Sequence, residues 1–184
     1  FKALPDRLQQ GHLAWLVLGH LLAQPASLEG VPAFLAADDS PLIDSKEISF
    51  LGASQGGILG GVSSALSSDW TQVILAVPGL GYNLLLPRSI DFDEFAPELE
   101  KSYPDPLDRT LGRELIEMLW DRGENAGWAQ HLTTDTYDGA PAKNVLLLEA
   151  FGDHQVANVS TEKLARTLDV PRRTPTLAEV RSTD

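Results

Sequence analysis

Ser54 stands in Gly52-Ala53-Ser54-Gln55-Gly56, with a glycine two residues to either side. A serine hydroxyl is a weak nucleophile until a base takes its proton and fixed dipoles receive the oxyanion formed on the carbonyl it attacks. A sharp turn from strand to helix meets both needs. It lifts the side chain clear of the sheet and points the first N–H groups of the helix at the developing charge. The turn crowds the neighbours of the serine, and small Gly52 and Gly56 suit that crowding. On spacing alone the pattern is weak, because small residues cluster in many loops, and a strand-to-helix turn that merely contains a serine is the plain alternative. The flanking elements give the pattern its weight.

Glu47–Leu51 reads as a short strand that runs into Gly52, and a helix begins near Gln55 with Ile58, Leu59, Val62, Ala65 and Leu66 on one face. Gly56, Gly57, Gly60 and Gly61 would each cost that helix roughly 1 kcal/mol relative to alanine. Four together call for close approach to a sheet. Gln72–Val77 and Asn144–Phe151 are near-continuous apolar runs, the pattern of strands buried on both faces. A first helix is predicted from Pro5 to Leu22, with Leu8, His12, Trp15, Leu16, Gly19 and Leu22 at helical spacing. A turn-rich connector, Gln24 to Asp44, follows it, ordered around Pro32–Leu35. A last helix is predicted from about Ser160 to Leu168, closed by Pro171. Helices alternating with buried strands predict an α/β fold, a parallel sheet with helices on both faces.

Gly81 to Ala142 is too long for a plain crossover and reads as a cap or lid insertion. Its clear helix is capped by Asp105, starts at Pro106 and stops at Gly123. Leu107, Leu111, Leu115 and Leu119 share a face expected to pack down on the core or cap, with Arg113 and Glu117 outward. The organisation predicted is a core segment with the serine turn (1–80), a cap (81–142) and a second core segment (143–184).

Ile48-Ser-Phe-Leu-Gly-Ala-Ser54-Gln-Gly-Gly57 resembles the nucleophile elbow of the α/β-hydrolase superfamily. Pro141-Ala-Lys-Asn-Val-Leu-Leu-Leu-Glu-Ala-Phe-Gly-Asp153-His-Gln-Val156 resembles the strand and turn on which that superfamily carries its acid. Met118-Leu-Trp-Asp-Arg-Gly123 and Gly152-Asp-His-Gln-Val-Ala-Asn158 look like a group of large bacterial hydrolases of undefined substrate. The resemblance implies a partial α/β-hydrolase fold. Ser54 would be the nucleophile, the Gln55 backbone amide an oxyanion donor, and Asp153 the acid that orients and stabilises an imidazolium. The plain alternative for Asp153 is a turn aspartate bonded to its own backbone. Some relatives carry the acid after the preceding strand, but Pro78-Gly-Leu-Gly-Tyr82-Asn83 holds none. Tyr82 and Leu84 follow that strand and would line an acyl pocket, with core packing as the alternative.

The histidine that the superfamily places after one further strand is absent from Gln155 to Asp184. His12, His20, His131 and His154 all lie elsewhere, and His154 reads as a turn residue bonded locally. The expectation is therefore a piece of a larger domain, its first strands, last strand and second oxyanion donor supplied by flanking sequence. Phe1-Lys2-Ala3 opens without methionine, so the true start and any targeting segment are expected upstream.

With 14 basic against 26 acidic residues, the net charge of −12 disfavours nucleic acid and anionic membrane surfaces. No apolar run approaches the roughly 20 residues of a membrane span. The absence of cysteine excludes disulfides, thiolate metal sites and cysteine nucleophiles. Asp38-Asp39 and the acidic stretch from Asp91 to Glu100 lack the spacing of a calcium loop and read as solvated faces. Asn158-Val-Ser160 matches a glycosylation acceptor, a three-residue pattern with little weight. No cofactor and no metal are expected. The reading is a serine hydrolase of carboxylic esters, with amides second, acting on a small or lipid-like substrate in a secreted or periplasmic rather than cytoplasmic setting. The rivals are a non-catalytic binding or scaffold domain and an acyltransferase.

Overall fold

The computed structural model describes residues 3–24, 26, 28 and 30–174. Three parallel strands, β1 (Ser49–Ala53), β2 (Gln72–Ala76) and β3 (Asn144–Leu148), pair in the order β1-β2-β3, with Leu51 opposite Ile74 and Ile74 opposite Leu146. Around them lie α1 (Ala3–Ala23), α2 (Gln55–Leu66), α3 (Tyr82–Leu85), α4 (Ala96–Ser102), α5 (Pro106–Trp120), α6 (Gln130–Thr133) and α7 (Asn158–Thr167). The molecule thus has mixed α/β architecture built on a small parallel sheet. The predicted strands begin and end within two or three residues of those observed.

Alternation along the strands sorts the sheet into two faces. Phe50, Val73, Leu75, Val145 and Leu147 point to one face and join Ala65, Trp70, Leu132, Leu164 and Leu168 in the main core. Phe50 stacks on Trp70 at 5.8 Å, and Trp15 of α1 meets Phe50 edge-on. The opposite face carries Leu51, Leu146 and Leu148, which are 68%, 51% and 47% exposed. Helices on both faces were expected from the apolar runs. Among the described residues the core fills one face only, because a continuous run supplies apolar residues to both faces whether or not anything covers the second.

The slimness of α2 lets it approach the sheet closely, since a Cβ at Gly57 or Gly60 would collide with the Ala76 carbonyl or the Phe50 ring, and it also leaves room for a bridge. The carboxamide of Asn125 accepts from Gly61 N at 3.0 Å and donates to Gly57 O and Gly79 O at 2.8 Å each, so it bridges α2 to the turn after β2. A side chain at Gly61 would collide with that carboxamide. His12 ties α1 to the same region, with Nδ1 3.0 Å from Ser63 Oγ and Nε2 donating to Gly123 O at 2.9 Å. Burial pushes its pKa down, against the pull of the Gly123 carbonyl, which stabilises the charged form. Lys143 is buried just before β3 and donates to Ser67 O at 2.6 Å and Trp70 O at 2.9 Å. Desolvation lowers its pKa to about 8, opposed by the nearby Asp69 carboxylate.

The insertion contains α3 to α6, and α5 begins as expected, with the Asp105 side chain accepting from Leu107 N at 2.8 Å. Its orientation is the reverse of that expected. Leu107, Leu111 and Leu115 are 65%, 55% and 67% exposed and only Leu119 of the stripe is partly buried, while Glu117 and Arg113, expected outward, are partly buried too. Periodicity identifies a stripe but not the side that meets the protein. The inward side is fixed by Glu117, whose carboxylate accepts from Asn83 N at 3.0 Å, and by buried Trp120.

Candidate functional site

Ser54 links the last residue of β1 to the first of α2 at φ 54° and ψ −122°, a backbone conformation rare for a residue with a side chain. The strain persists because the surroundings over-determine it. Ser54 N donates to Ala76 O of the neighbouring strand at 2.9 Å. Ser54 O accepts from Gly57 N at 2.8 Å and from Ile58 N at 3.0 Å. A Cβ at Gly52 would collide with the carbonyl of Gly56, so the strand and the first turn of the helix touch through glycine. The side chain of Ser54 is exposed and makes no capping bond to its own helix.

The next strand ends in a similar way. Val77 follows β2 at φ 42°, a costly value for a β-branched residue, and its N–H donates to Leu148 O at 2.7 Å. Two adjacent strand ends therefore hold strained residues at the carboxyl edge of the sheet, the edge where open parallel sheets bind ligands.

Tyr82 lies beside this edge. Its hydroxyl is hydrogen-bonded to the side chain of Gln55, and its ring meets Trp120 edge-on at 5.4 Å. Burial raises its pKa to about 12, with the Glu124 and Glu117 carboxyls adding to the rise and the Gln55 bond opposing it. Ser54, Gln55 and Tyr82 are thus brought together. Tyr82 also packs against Ile58, Leu85 and Val156, so it serves the local core as well. Leu84 is half-buried, and its N–H donates to Asn83 Oδ1 at 2.8 Å.

Asp153 occupies the turn after β3. Its Oδ1 accepts from Gln155 N at 2.8 Å and Val156 N at 2.9 Å, and Val156 docks the turn on Ile58 of α2. Its Oδ2 takes no hydrogen bond among the described residues. The turn is held further by Asn158, which accepts from Gly152 N at 2.9 Å and donates to Ala150 O at 2.7 Å. Ser54 directly follows β1 and the Asp153 turn comes five residues after β3, two strands whose ends are separated by β2, about two strand spacings or roughly 10 Å.

No histidine is hydrogen-bonded to Ser54 among the described residues. His12 bonds Ser63 and Gly123. His20 lies 3.2 Å from Asp69, and His131 binds the Asp135 carbonyl at 2.5 Å. His154 is exposed. Nor does any group of three or more histidine, aspartate and glutamate side chains have the arrangement of a metal site among the described residues.

The sequence gives no sign of the carboxyl pair beneath Tyr82. The turn after β2 contains no acid of its own, yet two arrive from the insertion. Glu124, fully buried, accepts from Gly81 N at 3.3 Å, and Glu117 accepts from Asn83 N. The Glu117 carboxyl acts on that of Glu124, and neither Oε1 has a hydrogen-bond partner among the described residues. Desolvation, followed by the influence of the Glu117 carboxyl, raises the pKa of Glu124 to about 9. Glu124 thus carries a proton near neutrality, unlike an acid that stabilises an imidazolium. The acidic partner of each amide lies 34 or 43 residues away in sequence, and no local spacing signals such a pairing.

Comparison with family models, curated proteins and solved structures finds no match to this chain.

Proposed function

We propose that the chain carries the nucleophile and acid segments of a serine hydrolase of the α/β-hydrolase kind, cleaving carboxylic esters through an acyl-enzyme on Ser54. The observation behind this reading is the positive φ of an exposed serine between a parallel strand and a glycine-packed helix. That conformation costs energy, and residues held in such conformations cluster at active sites and ligand-binding turns. In the reading, the Ser54 Oγ attacks the ester carbonyl and the Gln55 N–H receives the oxyanion. Asp153 offers its free Oδ2 to the imidazole of a histidine supplied by flanking sequence. Tyr82 fixes the side chain of Gln55 and, with Leu84, borders the acyl group.

A binding or scaffold domain is the second reading, favoured by the absence of any histidine bonded to Ser54 and by an Asp153 that already caps its own loop. One experiment separates the two. In the full-length protein a fluorophosphonate probe is expected to label Ser54, with Ser54→Ala abolishing the adduct in mass spectrometry. A folded protein that never labels supports the scaffold, and labelling that survives Ser54→Ala removes Ser54 from the reaction.

A further inference from the structure

The insertion contains a cleft of about 280 Å³ between the segment Leu86–Ala96 and α5. Its walls combine Ile90, Phe92 and Leu99 with three arginines, Arg88, Arg109 and Arg113. In a chain where acids outnumber bases 26 to 14, arginines have an ample choice of carboxylates. Among the described residues none of these three has a carboxylate within 4 Å, although Asp93 and Glu100 belong to the same walls.

Their protein partners are neutral. Arg88 Nη1 donates to Leu84 O at 2.9 Å, and Arg109 Nη1 donates to Tyr103 O and Pro104 O at 2.9 Å each. Arg113 Nη2 donates to Thr110 Oγ1 at 3.2 Å. A guanidinium has five N–H donors in a planar fork. Most of the donors on the three therefore have no protein acceptor, while their forks match the two oxygens of a carboxylate or phosphate. The backbone and hydroxyl bonds hold the side chains in position, and the apolar residues exclude a purely hydrophilic ion as the best fit.

We propose that this cleft binds a small amphipathic anion, its carboxylate or phosphate head on the arginines and a short apolar tail along Ile90, Phe92 and Leu99. The volume lies just below the roughly 300–1,000 Å³ of ligand pockets for drug-sized molecules, which limits the tail to medium length. The site is separate from Ser54 and stands whether or not Ser54 is a nucleophile.

Titration calorimetry on the full-length protein with octanoate and octyl phosphate tests this, with octanol, acetate and inorganic phosphate as controls. Each amphipathic anion is expected to bind at least tenfold more tightly than octanol and than its own tailless head. The stronger of the two identifies the head. Arg113→Gln is expected to weaken binding by tenfold or more, and Arg113→Lys by less, because charge is kept and the fork is lost. Ser54→Ala, whose side chain is not among the walls of the cleft, is expected to leave the affinity for these anions unaltered. Should Arg113→Gln fail to fold by circular dichroism, Ala96→Trp on the opposite wall gives the same readout by filling the cleft. Octanol binding as well as octanoate, or binding untouched by a folded Arg113→Gln or Ala96→Trp protein, overturns the proposal.

Discussion

The two strand ends that bear the candidate chemistry are built on opposite principles. At the end of β1, the Ser54 backbone is strained and its side chain makes no bond to its helix. Its conformation is imposed by the Ala76 carbonyl, the contact between Gly52 and Gly56, and the Asn125 carboxamide behind α2. After β3 the left-handed position is taken by Gly152 at φ 73°, where glycine bears no strain, and Asp153 is well satisfied, with one oxygen capping its own turn. The first end is held by distant parts of the chain so that one side chain stays free. The second is held by its own side chains and leaves one oxygen free. A reactive hydroxyl needs the first kind of support, and a carboxylate that orients another group is compatible with the second.

The sharpest way to break this contrast is to add one methyl group at each end. Gly52→Ala drives a Cβ into the Gly56 carbonyl and is expected to cost about 3 kcal/mol, the upper range for overpacking. That is a fall of roughly 6–12 °C in the midpoint of thermal unfolding for a domain of this size. Gly152→Ala meets no atom within 4 Å and bears only the left-handed backbone penalty, about 1–2 kcal/mol. Equal losses at the two positions in parallel melts would erase the difference. Next in size is Asn125→Ala, which leaves the Gly79 carbonyl without its partner and breaks the bridge to α2. A cost of about 2–3 kcal/mol is expected from the unsatisfied buried groups, measured by urea unfolding. A loss under about 1 kcal/mol would show that the turn at Ser54 does not depend on that bridge.

The strand-to-helix turn at Ser54 was legible in the sequence because its causes are local. Gly52, Gly56 and the strand-helix switch occupy a dozen consecutive residues, and Pro106 and Asp105 announce α5 in the same way. The Asn125 bridge and the Glu117–Glu124 pair were not legible, because each joins residues from different segments and depends on a fold that brings them together. The stripe of α5 shows the intermediate case. Its period was correct, but leucines at helical spacing do not say which side faces the protein, and Glu117 faces inward because Asn83 N and Glu124 await it. The open face of the sheet has the same origin. Leu51 and Leu146 have the composition of buried positions, and their exposure follows from what does not lie against them among the described residues.

Below these effects stands the carboxyl pair, which supports the Ser54 side from beneath Tyr82. Glu124 keeps its proton in the folded protein up to about pH 9, while in the unfolded chain it loses it near an ordinary carboxyl value. Between those two values the folded state binds the extra proton, so this contribution is complete at low pH and declines as pH rises towards 9. Glu124→Gln keeps the acceptor for Gly81 N, offers an amide N–H to Glu117 and does not titrate. The variant is expected to gain steadily on the wild type as pH rises from about 5 towards 9, because only the wild type gives up a folded-state proton advantage over that range. Taking the difference between the two proteins at each pH cancels all other titrations. A difference that stays flat from pH 5 to pH 9 would mean that Glu124 holds no such proton.

The smallest expected change in stability lies at Asp153, where the contrast between the two ends is most finely tested. Both backbone bonds of its turn fall on Oδ1, from Gln155 N and Val156 N. Asp153→Asn retains an acceptor oxygen in that place, and its new amide group takes the place of Oδ2, which has no partner among the described residues. The unfolding midpoint is therefore expected to move by less than about 0.5 kcal/mol equivalent, the scatter of ordinary surface changes. Asp153→Ala removes the cap and is expected to cost about 1 kcal/mol, the usual worth of such a bond. The pair of variants thus isolates the structural duty of one oxygen from any duty of the other. If Oδ2 steadies an imidazolium in the full-length enzyme, Asp153→Asn lowers ester turnover by roughly three to four powers of ten while the melt stays in place, the scale of a triad that loses its charged acid. If turnover holds and only Asp153→Ala destabilises, Asp153 is a loop residue, and the acid of the reaction must be sought at another strand end.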